Sequence, residues 1–154
     1  MQSPLLQAIT LAGHAREHGN HPFGALLADA DGTVLLTAEN TVVTTADVTG
    51  HAETNLVRVA SASFSVADLR AMTLYTSTEP CAMCSGAIYW SGIGTVVYAL
   101  GEDELRDMTG SDEQNPTLQL PCRTVFAAGQ RRVVVHGPFA LPQARDVHAG
   151  FWNP

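Results

Sequence analysis

Two short runs of metal-binding residue types dictate what this chain can fold into: His51-Ala52-Glu53 and Pro80-Cys81-Ala82-Met83-Cys84. Two thiolates and one imidazole form a three-ligand set typical of catalytic zinc, with a fourth position left for water or hydroxide. Cys81 and Cys84 stand three apart, so on a helix they share a face. They fall in the first turn after Pro80, where free N–H groups and the positive helix end favour thiolates. His51 and Glu53 stand two apart, which on a regular helix sends them to nearly opposite faces. Both reach one site only if that helix aims its N-terminus at the metal, and Thr49-Gly50 supplies a helix start there. The chain must therefore bring two helix N-termini to one zinc.

The rest of the sequence supplies elements to do this. Ser3 can cap a first helix with Pro4 at its first position. Leu5, Leu6, Ile9 and Ala12 then recur at helical spacing until Gly19 stops the run. Residues 25–30 and 34–38 are apolar segments flanking Asp31-Gly32, a β-hairpin signal. Residues 40–49 are polar and turn-like. Helices are expected over about 50–62 and 81–90, with Ser65 capping a short turn to Leu69. Strands are expected over 72–76, 94–100 and 132–136. Residues 101–119 read as an acidic, irregular stretch, and 138–152 as a C-terminal helix with an aromatic tail. Strands alternate with helices, so residues 1–154 read as one α/β domain, a three-layer α/β/α sandwich around one sheet.

Composition narrows the function. The formal net charge is −7, from 15 acidic and 8 basic residues. A chain that binds nucleic acid through phosphates needs a basic patch, because affinity comes largely from displaced counterions. The only basic pair, Arg131-Arg132, reads as a solvated strand edge, so a polynucleotide substrate is disfavoured. Only 15% of residues are charged and 45% are apolar, which suggests surface covered by a partner subunit. Three cysteines do not make a disulfide framework. Met1-Gln2-Ser3-Pro4 has no charged segment leading into an apolar one, and no apolar run spans a bilayer. The expectation is a cytoplasmic protein without a membrane partner.

Glu53 is read as the proton carrier rather than a ligand. A carboxylate beside metal-bound water can take its proton and pass it to a ring nitrogen and then to a leaving amine. The order H-x-E…P-C-x-x-C is the pattern of zinc deaminases. A purely structural zinc would need a fourth protein ligand, and His14, His18, His21, His136 and His148 lack companion spacing. Cys122 reads as a buried small apolar residue.

At these residues the chain resembles the cytidine/deoxycytidylate deaminase-like superfamily, and within it the bacterial guanine deaminase branch and relatives acting on small aminated rings. The supporting stretches include His21-Pro22-Phe23-Gly24-Ala25, Asn40, Gly50-His51-Ala52-Glu53, Thr78-Glu79-Pro80-Cys81-Ala82-Met83-Cys84 and Ser85-Gly86-Ala87-Ile88-Tyr89-Trp90. The resemblance implies a mixed five-stranded sheet between helices, a homodimer, and one zinc per subunit. It implies that Asn40 hydrogen-bonds the base, with the amide near Ala52 and the carbonyl at Ser77 or Thr78 assisting. Phe23 packs beside the ring or belongs to the core. Gly110-Ser111-Asp112 resembles a base-reading pattern, which makes Asp112 or Glu113 a candidate. Phe151 and Trp152 could close over the site of their own or a neighbouring subunit. The implied reaction releases ammonia from a small heterocyclic base: guanine first, then s-triazines such as ammeline or cytosine-type analogues. The alternatives are a tRNA adenosine or nucleoside deaminase and a non-catalytic zinc-binding module for protein interaction.

Overall fold

Burial of the central strands on both faces sets the architecture. In the computed structural model, which describes residues 2–154, five strands form one sheet in the order β2-β1-β3-β4-β5. They are β1 (Gly24–Ala28), β2 (Val34–Glu39), β3 (Thr73–Thr78), β4 (Thr95–Leu100) and β5 (Val134–His136). β1 runs antiparallel to β2 and β3, whereas β3–β4 and β4–β5 are parallel, so the sheet is mixed. Leu27, Leu74 and Val96 are register partners facing one side, and Leu26, Tyr75 and Val97 face the other. Period-two alternation thus gives the sheet two apolar faces, each needing a helical cover.

One face carries α1 (Gln2–Glu17), whose Leu5, Ala8 and Ile9 pack on Leu26, Ala28, Val97 and Ala99. Gly24 makes this close approach possible, since a Cβ there would lie 2.5 Å from backbone atoms of Ala8 and Ala12. The other face carries α3 (Ala52–Ser63), α4 (Val66–Arg70), α5 (Ala82–Ser91) and α7 (Cys122–Ala127), contributing Leu56, Leu69, Ile88 and Phe126 to a second core. The remaining helices are α2 (Val42–Thr45), α6 (Glu102–Thr109) and α8 (Pro142–Asp146). This is the expected three-layer sandwich with a mixed five-stranded sheet.

Several local expectations need correction. α1 already includes Gln2, so Ser3 lies inside the helix rather than at its cap; Met1 is outside the described residues. Residues 102–109 are helical where an irregular stretch was expected. Gly101 precedes three acidic residues in the first turn, and Leu105 and Met108 pack into the α1-side core. The C-terminal helix shrinks to Pro142–Asp146 because Phe139 N–H bonds Ala99 O, keeping the chain beyond β5 alongside β4, and Gly150 (φ 70°) turns the tail. Arg131 is not a solvated edge. Its guanidinium donates to the carbonyls of Ile88, Tyr89 and Ile93, satisfying acceptors at the end of α5.

Candidate active site

The two helix N-termini meet. His51 is the N-cap of α3 and Cys81 the N-cap of α5, each in extended conformation, and neither cap bonds its helix through a side chain. Pro80 ends the segment leaving β3, and Ser85 ties the first turn of α5 back by donating to Pro80 O at 3.2 Å. His51 Nδ1 then lies 3.6 Å from Cys81 Sγ and 3.4 Å from Cys84 Sγ. All three ligand atoms fall within 4.8 Å of one another. Tetrahedral zinc with ordinary Zn–S and Zn–N bonds separates such atoms by about 3.6 Å. The trio therefore fits a zinc site, and it offers three ligands, not four.

Glu53 belongs to the first turn of α3 and is 5% exposed. Its Oε1 accepts from the Thr76 hydroxyl at 2.6 Å, and its Oε2 lies 3.5 Å from Cys84 Sγ. Thr76 shares its strand face with Leu74, so β3 both fills the core and aims a donor at Glu53. Burial raises the Glu53 pKa, against the opposing influence of His51 and the Thr76 hydrogen bond. A hydrogen bond with Cys84 draws the Cys81 thiol down to about 4, while the same contact and burial push Cys84 up. The hydrogen bond to Cys81 raises His51. Zinc would replace these shared protons.

The trio and Glu53 lie on the wall of a cavity of about 490 Å³, a size suited to one small ligand. Its apolar lining includes Phe23, Val42, Val48, Met83, Leu105 and Leu118, and its polar lining includes Asn40, Glu102, Glu113 and Gln114. The short helix α2, which begins at Val42, is pinned because Asn20 Oδ1 accepts from the N–H groups of Val43 and Thr44. Asn40 is buried, and its Oδ1 accepts from Val42 N–H, leaving the amide nitrogen to donate.

Of the residues singled out from sequence, His51, Glu53, Cys81, Asn40, Phe23 and Glu113 line this cavity, and Cys84 joins it through the ligand trio. Ala52 is buried just behind, at the start of α3. Asp112 is elsewhere: its carboxylate accepts from the N–H groups of Gln114 and Asn153 and so clamps the tail. Trp152 does not line the cavity either. Its indole donates to His148 Nδ1 and packs edge-on to His21, supporting the wall from behind. Cys122 is buried, away from the ligand trio.

Sequence reading missed Glu79 and Glu102. Glu79 Oε1 accepts from Glu102 N–H and Oε2 from Cys122 N–H, which anchors the starts of α6 and α7 beside the site. Glu102 is nine-tenths buried, and burial, reinforced by Cys81, Glu79 and Glu53, pushes it up to about 8. Both residues follow the carboxyl end of a parallel strand, the usual ligand edge of α/β sheets, and that position was the available signal.

Metal ligands, a buried carboxyl and a ligand-sized cavity converging at that edge are what a zinc hydrolase needs to exchange an amino group for an oxo group. Residues 2–100 match the cytidine and deoxycytidylate deaminase zinc-binding region, and the chain belongs to that family of hydrolytic deaminases. It is 40% identical to a probable cytosine deaminase of Schizosaccharomyces pombe, over 97% of this chain and 90% of that one. It is 42% identical to guanine deaminase of Bacillus subtilis, over 62% of this chain and 61% of that one. A tRNA-specific adenosine deaminase of Buchnera aphidicola is 34% identical over 64% of this chain and 65% of its own. A solved protein in complex with 8-azaguanine aligns with 25% identity and a TM-score of 0.78, covering 94% of this chain and 80% of its own.

Proposed function

We propose that this enzyme hydrolytically deaminates a small free aminated heterocycle, with cytosine-type rings first, guanine next, and s-triazines such as ammeline behind them. The order departs from the guanine-first expectation because the similarity to a probable cytosine deaminase runs over nearly the whole chain. The observation that carries the proposal is a buried Glu53 carboxyl beside the His51-Cys81-Cys84 trio on the wall of one ligand-sized cavity.

When bound, zinc supplies Lewis-acid activation of a water near neutral pH. His51, Cys81 and Cys84 hold it. Glu53 takes one proton from the water and delivers it to the ring nitrogen as the water oxygen bonds to the amino-bearing carbon; it then takes the second proton from that added oxygen and gives it to the departing amine, so that the C–N bond breaks to leave the oxo product and ammonia. The Thr76 hydroxyl keeps Glu53 in place. Asn40 orients the ring through its free amide N–H groups, with Phe23 against the ring face. Glu113 borders the same cavity, while Asp112 and Trp152 act on the walls indirectly.

The test is ammonia release from cytosine, guanine, adenine, their nucleosides and ammeline by fully zinc-loaded protein. Turnover of one or more free rings is expected, and no ammonia from any of them refutes the proposal. Trp90, 83% exposed at the end of α5, supports a homodimer, to be read by sedimentation velocity. We also place the enzyme in the cytoplasm; no described helix is long and apolar enough to cross a membrane.

A further inference from the structure

Glu102 opens α6 two residues beyond the end of β4, and its side chain forms part of the cavity wall. It is nine-tenths buried, yet among the described residues its carboxyl has no hydrogen-bond partner. Its neighbour Glu79 is engaged with the N–H groups of Glu102 and Cys122, so it offers no donor in return. No lysine, arginine or other cationic side chain except His51 lines the cavity beside it, apart from His21, whose ring is taken up by Gln114. Its oxygens are not among the fully enclosed atoms that lack a partner, so the carboxyl opens onto the cavity and offers an unengaged acceptor there to a donor on what fills it.

We infer that the Glu102 carboxyl accepts a hydrogen bond from a ring N–H of the substrate and thereby selects a free heterocycle over its nucleoside. The amino-bearing carbon must face Glu53 and the ligand trio, which turns the opposite edge of the ring to the remaining wall. On a free base that edge carries an N–H at the position where a nucleoside carries its sugar. A carboxyl offers an acceptor oxygen in either protonation state. Asn40 supplies donors and Glu102 an acceptor, a pair complementary to a ring that presents both an acceptor and an N–H. The inference deepens the deaminase proposal by naming a substrate contact, but the contact is one of binding and is measured without turnover.

The experiment is calorimetric binding to zinc-loaded protein in a Glu53→Gln background, where rings are not consumed. The probes are cytosine against 1-methylcytosine and guanine against 9-methylguanine. The parent is expected to bind at least one free ring about tenfold or more tighter than its methylated partner. Glu102→Ala is expected to weaken the free ring by about ten- to a hundredfold and to erase that preference. Glu102→Leu repeats the loss without opening space, should the alanine variant fold poorly. Zinc content and melting temperature are expected to match the parent in the variant that is scored. Equal binding of free and methylated rings by the parent, no binding of any probe, or an intact preference after removal of the carboxyl would each overturn the inference. An intact preference that depends on Glu102, with no ammonia released by the wild type, would sink the deaminase proposal alone.

Discussion

Single residues divide here into those whose partners are written beside them and those whose partners are far away. The metal ligands belong to the first kind: spacing of two and three fixed their helix positions, and the fold had only to bring two helix starts together. Glu79 belongs to the second, because the backbone groups it binds lie 23 and 43 residues further on. Nothing local signals that role. Glu79→Ala is expected to cost about 2–4 kcal/mol in urea unfolding of the zinc-loaded protein, as two hydrogen bonds to a carboxylate are lost. His148 is a similar case. It is 3% exposed, it accepts from Trp152, its Nε2 lacks a partner, and burial with Arg16 and Arg145 nearby lowers its pKa to about 4. Folded protein therefore resists a proton that the unfolded chain accepts. Stability is complete above about pH 6.5 and falls as pH drops toward 4, by up to about 3 kcal/mol. The difference between wild type and His148→Phe over that window measures it. A parallel decline in both would contradict this assignment.

At the scale of elements, pattern was readable where an apolar run or a helix start stands out and lost where it does not. β1 to β4 are short apolar runs, buried on both faces at the centre of the sheet, and α3 to α5 follow a helix-start signal. α6 was hidden because acidic residues dominate its composition, while only Leu105, Met108 and a few neighbours face inward. α7 is a short turn of helix with no side-chain cap, started instead by Glu79. The overextended C-terminal helix shows the opposite error, apolar residues that pack as a tail against His21 and Phe23 rather than as a helical stripe. The α1–β1 contact gives a test at this scale. Gly24→Ala places a methyl group against α1 backbone and is expected to destabilise by about 1–3 kcal/mol, read as a lower urea midpoint. An unchanged midpoint would mean the helix can move away freely.

For the molecule as a whole, charge and cavity point the same way. A net charge of −7 opposes phosphate contacts, so a gel shift with tRNA at low salt is expected to show no complex. The family and the zinc trio could be read from two motifs, on which the proposed role of Glu53 also rests, whereas the ring that enters is decided by walls assembled from five separate stretches of chain. The proposed role of Glu53 is to move protons for a metal it does not bind. It is tested most directly by measuring zinc content and ammonia release together in Glu53→Gln, on whichever ring the wild type turns over. One zinc per chain, as in the wild type, is expected, with turnover reduced by at least about a hundredfold. Zinc lost along with activity, or activity retained, would contradict it.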